Sequence, residues 1–141
     1  NQYDALRTIA QSLGCKIILD ESFIHSDQFD CIKDSPETWI VNLRVSKMGG
    51  ILRSVKIAQA ASRLKVPIII GAQVGETSIL TRAALVVANN YRNILIAQEG
   101  AFGTYLLKRD IVNVPLMFGK GGLLSVAPLV AKPGLGLDYI L

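Results

Sequence analysis

The sequence is poor in the residues that most often build metal sites and disulfide frameworks. It has 2 cysteines and 1 histidine among 141 residues. Cys15 and Cys31 form neither a Cys-x-x-Cys pair nor the Cys/His spacing of a zinc site, and they do not make a disulfide framework. We therefore predict reduced thiols in a cytoplasmic protein. His25 is predicted to lie in a surface loop, because the sequence offers no visible partner for a catalytic histidine.

Long hydrophobic runs and clusters of one charge are also lacking. No apolar run approaches the roughly 18 to 20 residues of a membrane span, and residues 1–13 have no basic-then-apolar signal pattern. The 15 basic and 11 acidic residues give a net charge of +4, and the basic residues are scattered singly. We therefore expect neither a membrane nor a nucleic-acid partner. A hydrophobic fraction of 50% with 18% charged residues predicts a globular chain.

A repeat of short apolar runs is the feature that the sequence does have. The runs cover residues 17–19, 40–45, 68–70 and 94–97. They begin near residues 16, 40, 67 and 93, so successive starts are 24, 27 and 26 residues apart. Patterns typical of amphipathic or buried helices cover residues 3–13, 51–64 and 78–89, and a weaker one covers 26–33. Alternation of strand and helix at this spacing predicts parallel βα units.

The predicted fold class is therefore α/β, a partial (β/α) barrel of about four consecutive parallel units within residues 1–118. Glycine- and proline-containing segments bracket a short apolar piece after that, so residues 119–141 are predicted to be a tail of the same domain that wraps its surface. A complete barrel needs about 250 residues, and a strand at the rim exposes unpaired backbone groups. Either the sheet is open or another chain completes it, as a homo-oligomer or as a separate amino-terminal half.

Charged residues follow the first two predicted strands. Asp20 ends the first run and Arg44 lies at the end of the second. In parallel α/β proteins the carboxyl ends of the strands are where chemistry is built. A carboxylate there is a candidate magnesium ligand, since magnesium prefers oxygen ligands. The alternative is that Asp20 closes an Asx turn with Ser22.

Five motifs together carry a family resemblance. In chain order they are DES at 20–22, NLRVSKMGG at 42–50, PIIIG at 67–71 followed by ET at 76–77, QEG at 98–100 and PGLG at 133–136. Over essentially the whole chain their order and spacing resemble the later barrel strands of the enolase superfamily. The similarity is to its muconate-lactonizing-enzyme and mandelate-racemase branch, which includes dipeptide epimerases.

The resemblance implies a fold, a cofactor and a chemistry. The family fold is a (β/α)₇β barrel with a capping domain, and carboxylates at the ends of its third, fourth and fifth strands hold magnesium. Asp20 matches the fifth-strand ligand. The metal stabilises the enolate that forms when a proton is removed next to the carboxylate of a small substrate. The resemblance therefore implies an isomerase or lyase: a racemase, epimerase, cycloisomerase or dehydratase.

Two departures from the family pattern affect the expected activity. Arg44 stands where the branch usually has a lysine acid or base, and an arginine is essentially always protonated, so it suits carboxylate binding better than proton abstraction. Lys47, three residues further on, is the other candidate catalytic residue, with helix entry or a surface position as its alternative. The earlier strands with the remaining metal ligands have no counterpart in this chain. We therefore expect the isolated chain to be a poor enzyme or none.

Three further residues are candidates for substrate contact. Glu76 and Glu99 follow the third and fourth strands, although Glu76 also suits the amino terminus of the next helix. Gly100 lacks a side chain and would let a ligand approach closely. A less favoured alternative is an unrelated α/β enzyme that cradles phosphate with residues 100–104, which lack the lysine and full glycine spacing of a phosphate loop.

Overall fold

Four parallel strands form one sheet in the order in which they occur along the chain. The computed structural model describes residues 2–100, 102–125 and 133–140. The strands are β1 (Ile17–Leu19), β2 (Trp39–Leu43), β3 (Ile68–Ile70) and β4 (Leu95–Gln98). Each pairs in parallel with the next, giving the sheet order β1-β2-β3-β4. The predicted α/β class and the four consecutive parallel strands are confirmed.

Three long helices lie in the predicted places and pack against one face of this sheet. They are α1 (Gln2–Leu13), α2 (Ile51–Leu64) and α3 (Ser78–Asn90), and a single short turn, α4 (Gly103–Leu106), follows β4. None of the described helices is long and apolar enough to cross a membrane. The weak helix predicted over 26–33 is instead a 3₁₀ segment, Ser26–Cys31. Its sequence has no apolar stripe at helical spacing, and the Gln28 side chain accepts hydrogen bonds from the main-chain N–H groups of Ile24 and His25.

The core lies between one face of the sheet and the helices. Strand side chains alternate between the two faces, so Leu19, Val41 and Leu43 are buried against the helices. Burial of side chains of this size stabilises the fold by roughly 1.5–3 kcal/mol each. Ile18 and Ile96 are 52% and 55% exposed because they lie on the opposite face. In the described part of the chain the helices cover this one face of the sheet.

The last strand pair contains an irregularity. Ile68 pairs with Leu95, whereas the next residue, Ile69, pairs with Ala97, so the register shifts and Ile96 is an extra residue on β4. An extra residue of this kind bends its strand and increases the local twist. The rim of the sheet at β4 is therefore not a regular continuation of β3.

A β-bridge and several hydrogen bonds attach the described part of the carboxyl-terminal segment to the fold. Val112 forms an antiparallel bridge with Tyr139, and Asp110 accepts hydrogen bonds from the main-chain N–H and the hydroxyl of Ser78, at 3.0 and 2.7 Å. Residues 126–132 and 141, which belong to the predicted tail, lie outside the described residues. The boundary predicted between 118 and 119 therefore stays a prediction.

Candidate functional site

The carboxyl ends of all four strands lie at one edge of the sheet, because the strands are parallel. Asp20 follows β1, Arg44 follows β2, Gly71 follows β3 and Glu99 follows β4. The register of β1 on β2 places Asp20 level with Asn42, two residues before Arg44. The side chains of Asp20 and Arg44 are nevertheless in contact, and Arg44 lies at the centre of the cluster at this edge.

Arg44 is held by acceptors from both neighbouring strand ends. Its Nε donates to Oδ1 of Asp20 at 3.0 Å, and its Nη1 donates to Oε1 of Gln73 at 3.1 Å. Its Nη2 contacts the carboxylates of Asp20 and Glu21. The hydrogen bond to Asp20 raises the pKa of Arg44 further, so the guanidinium stays charged. The side chain is 11% exposed, which makes it a fixed, partly accessible cation.

Lys47 reaches the same carboxylate from the protein interior. Its Nζ donates to the main-chain oxygen of Asp20 at 2.5 Å, to Oδ1 of Asp20 at 3.1 Å and to the main-chain oxygen of Asn42 at 3.0 Å. These contacts use all three protons of the ammonium group. Burial lowers the pKa of Lys47 and outweighs the opposing hydrogen bond to Asp20. Lys47 thus lies in the strand-end cluster, where its contacts hold Asp20 in position.

The neighbouring cationic side chains keep the Asp20 carboxylate ionised. Burial alone would raise its pKa, but hydrogen bonds from Arg44 and Lys47 more than offset this, and the pKa lies below its ordinary value. Both carboxylate oxygens contact cationic nitrogens. The turn after β1 is closed by the main-chain N–H of Phe23, which donates to the main-chain oxygen of Asp20 at 3.0 Å. The Asp20 side chain is directed to the cluster.

Glu76 lies near this cluster and binds different partners. It is 7% exposed, and its Oε1 accepts hydrogen bonds from the hydroxyl of Ser46 at 3.2 Å and from the main-chain N–H of Gln73 at 2.8 Å. It thereby joins the turn after β2 to the loop after β3. Because Gln73 also contacts Arg44, Glu76 supports the cluster from one residue further away. Its predicted substrate contact stays a prediction.

Glu99 braces the sheet edge across β3. Its carboxylate accepts from Nδ2 of Asn42 and from the main-chain N–H of Ala72, each at 3.3 Å. Between these groups, Gly71 lies so close that a Cβ atom on it would be 2.0 Å from Oδ1 of Asn42. The glycine is therefore required by close packing. Glu99 itself is exposed, which leaves its carboxylate reachable from solvent.

Gly100 and His25 lie in other surroundings. A Cβ atom on Gly100 would be 2.8 Å from the ring of Phe118, and the residue lines a cavity of about 560 Å³ together with Gln98, Phe118 and Lys120. Gly100 thus gives space to an aromatic ring, and its predicted ligand contact stays a prediction. His25 is exposed and lines a shallow hollow with Arg53, in keeping with its surface-loop prediction.

Almost the whole chain matches a known protein family. A family model for enolase C-terminal domain-like proteins matches residues 1–140. The chain belongs to the enolase C-terminal domain-like family. This confirms the resemblance proposed from the strand-end motifs. No curated protein shows significant sequence similarity to this enolase-family chain.

Solved structures of the same superfamily branch are similar to the chain. A dipeptide epimerase from Cytophaga hutchinsonii, complexed with magnesium and the dipeptide D-Ala-L-Val, is 25% identical with a TM-score of 0.77, over 99% of this chain and 36% of that one. The L-Ala-D/L-Glu epimerase from Bacillus subtilis is 26% identical with a TM-score of 0.77, over 99% and 37%. Muconate lactonizing enzyme from Klebsiella pneumoniae is 26% identical with a TM-score of 0.70, over 97% and 37%. The enolase-family chain therefore spans a little over a third of these relatives.

Magnesium is the cofactor that the family implies, and Asp20 is its candidate ligand in this chain. Among residues 2–100, 102–125 and 133–140 no group of three or more histidine, cysteine or acidic side chains is placed to hold a metal. Asp20 also lies between two cations, which occupy both of its oxygens. A divalent ion at that carboxylate would be repelled by Arg44 and Lys47. The residues of the enolase-family chain do not by themselves fit magnesium.

Sequence reasoning did not identify Gln73 and Asn42 as parts of the site. Asn42 had a usable signal, because it precedes Arg44 by two residues and so lies on the same face of the strand. Its side chain is 4% exposed. Gln73 lies in the loop after β3, where no periodic pattern fixes the direction of a side chain. Its role depends on how that loop folds in this enolase-family chain.

Proposed function

We propose that the chain forms the carboxyl-terminal barrel section of an enolase-superfamily enzyme that removes a proton next to the carboxylate of a small substrate. The reaction class is that of an isomerase or a lyase. Family membership supports the chemistry, and the three relatives described above, which are two dipeptide epimerases and a lactonizing enzyme, support a small carboxylate as substrate. The site is the strand-end cluster of Asp20, Arg44 and Lys47.

Arg44 is the residue that acts on the substrate in this proposal. The supporting observation is its partly accessible guanidinium, held by Asp20 and Gln73 at the carboxyl end of β2. Such a group binds a carboxylate with two parallel hydrogen bonds. It also stabilises the negative charge that develops on that carboxylate when the neighbouring carbon loses a proton. Because its orientation is fixed beforehand, little reorganisation is needed during the reaction.

Asp20 and Lys47 are positioning residues in this scheme. Asp20 fixes the plane of the Arg44 guanidinium, and Lys47 holds Asp20 through both its carboxylate and its main-chain oxygen. Arg44 has no accessible neutral form, and every proton of Lys47 is already donated to an acceptor. The base that accepts the substrate proton therefore belongs to other barrel strands. We accordingly propose that the chain has no activity when it is isolated, and we assign no step to magnesium.

The experiment follows exchange of the substrate α-proton in deuterated water by NMR. The assembly that contains this chain is incubated with a panel of dipeptides, N-acylated amino acids and other small carboxylates. We expect exchange for at least one of them and a loss of about 100-fold or more in Arg44→Gln. Arg44→Lys is the matched variant, because it keeps the positive charge but removes the planar guanidinium that offers two parallel hydrogen-bond donors. Full exchange by Arg44→Gln, or none with any carboxylate, contradicts the proposal.

A second candidate function follows from the open sheet. Ile18 and Ile96 are about half exposed on the face that the helices leave uncovered, and β1 and β4 each pair with one neighbour. We propose as the alternative that the chain is a non-catalytic half-barrel that pairs with an identical chain, or with a separate amino-terminal half. Light scattering after gel filtration tests it. A dimer that dissociates on Ile18→Lys and Ile96→Lys supports self-association, and a monomer at high concentration contradicts it.

A further inference from the structure

Glu21 contacts Arg44 from the solvent side of the cluster. Its Oε1 accepts a hydrogen bond from Nη2 of Arg44, and the Glu21 side chain is 74% exposed whereas that of Arg44 is 11% exposed. An exposed ion pair is weak, because water competes for both charges and a mobile side chain must be held in one geometry. The contact between Glu21 and Arg44 is therefore easily exchanged.

Asp20 is bound to the same guanidinium more firmly than Glu21 is. It contacts two nitrogens of Arg44 and also accepts from Lys47, whose side chain is 7% exposed. Removing Asp20 would leave the buried Lys47 ammonium without one of its acceptors, and an unpaired buried charge is costly. Of the two carboxylates on Arg44, Glu21 is the one that can leave.

The charges of the cluster favour replacement of Glu21 by another anion. Arg44 and Lys47 are cationic, and Asp20 and Glu21 are anionic, so the four side chains balance while Glu21 is in place. When Glu21 moves into solvent, one positive charge is left uncompensated. An incoming carboxylate then meets a planar guanidinium whose donors match its own geometry.

We infer that Glu21 is an internal competitor, which occupies the position on Nη2 of Arg44 where a small carboxylate anion binds. The inference rests on the proposed function, since it takes Arg44 as the carboxylate-binding residue. The anion enters from solvent, displaces the Glu21 side chain and leaves Asp20 in place. Gln73, which accepts from Nη1 at 3.1 Å, keeps the guanidinium in its plane during the exchange.

The test measures carboxylate binding to the ¹⁵N-labelled chain by following the Arg44 Nε–H signal during titration with acetate and succinate. Glu21→Gln removes the competing charge, so it should bind both anions about three- to tenfold more tightly than the wild type. Glu37→Gln is the matched control. It makes the same change of net charge at an exposed position, before β2 and therefore at the opposite edge of the sheet. Its affinity should equal that of the wild type.

The outcomes separate this inference from the proposed function. Equal affinities for Glu21→Gln, Glu37→Gln and the wild type, with binding abolished in Arg44→Gln, overturn the role of Glu21 and leave Arg44 as the carboxylate-binding residue. Binding that persists in Arg44→Gln overturns both. If neither the wild type nor Glu21→Gln binds either anion, although both give the spectrum of a folded protein, the roles of Glu21 and of Arg44 are both overturned. A preserved amide spectrum of each variant shows that the fold is intact.

Discussion

The Nζ atom of Lys47 lies 2.5 Å from the main-chain oxygen of Asp20 and 3.1 Å from its carboxylate. One ammonium group thus fixes both the end of strand β1 and the side chain that leaves it. Because Lys47 also donates to Asn42 on β2, the contact ties two neighbouring strand ends together.

Replacement of Lys47 by methionine should weaken the strand-end cluster. Methionine keeps most of the apolar stem but removes the three hydrogen bonds that the ammonium group donates, which should cost about 1–3 kcal/mol in the free energy of unfolding. Urea denaturation followed by circular dichroism measures the loss. Lys33→Met is the control, because Lys33 forms an exposed pair with Asp30 and should change stability far less than Lys47→Met does. Equal losses for the two variants would show that the Lys47 contacts contribute nothing.

Acid should destabilise the protein through Asp20. The pKa of Asp20 in the folded chain lies below its ordinary value of 3.8, so the unfolded chain binds more protons between these two values. The stability that Asp20 contributes is complete above the unfolded pKa and is lost as the pH falls through the lower folded pKa. Melting temperatures measured on the acid side of neutrality should fall less steeply in Asp20→Asn. The exposed Asp34→Asn variant matches its change of net charge, and an identical acid profile for both variants would contradict the prediction.

A side chain at position 71 should disrupt the contact between β2 and β3. In Gly71→Ala the new Cβ would lie 2.0 Å from Oδ1 of Asn42, so the Asn42 side chain or the strands must shift, at a cost of about 1–3 kcal/mol. Gly119→Ala is the matched control, since its Cβ would be 3.6 Å from the main-chain oxygen of Leu123, which is ordinary van der Waals contact. Thermal denaturation compares the two. If the clash is the cause, the double variant Gly71→Ala with Asn42→Ala should be less affected than the sum of its parts.

Magnesium should have no effect on the stability of the chain. Both oxygens of Asp20 are paired with Arg44 and Lys47, so an added divalent ion would have to displace two cations. We expect the same melting temperature in excess magnesium chloride and in EDTA. Arg44→Gln, which removes one of the cations, is the variant in which weak magnesium stabilisation is expected. Stabilisation of the wild type that Asp20→Asn abolishes would show that Asp20 is a metal ligand in this chain.

The sheet could be predicted because it depends on chain periodicity. Parallel strands place their carboxyl ends at one edge, so the residues that follow β1 and β2 lie at the same edge. The register places Asp20 level with Asn42, so the contact of Asp20 with Arg44 depends on side-chain conformation, which periodicity does not report. The place of Lys47 could not be derived in this way. Strand alternation does not hold beyond the end of β2 at Leu43, because the chain already turns there, with the main-chain N–H of Met48 donating to the oxygen of Arg44 at 3.0 Å.

Helix ends show the same limit. The end of α2 could be placed from its amphipathic pattern, but the residue that ends it, Lys65, has a φ of 58° in the left-handed region that glycine usually occupies. The turn that ends the helix holds it there, because the main-chain N–H of Val66 donates to the oxygen of Ala61 at 2.9 Å, the bond of a Schellman motif. Val66 itself is fully buried, and this burial depends on the rest of the fold, which the local sequence does not report.

The register shift at β4 has a consequence for how the chain avoids aggregation. A flat, regular edge strand is a template on which further copies can add without limit, as they do in fibrils. The extra residue Ile96 bends the edge of this sheet, although its apolar side chain is exposed. A bent edge pairs with a partner strand that matches its curvature, and it is a poor template for a flat stack of strands. The irregularity therefore favours assemblies that close over those that grow.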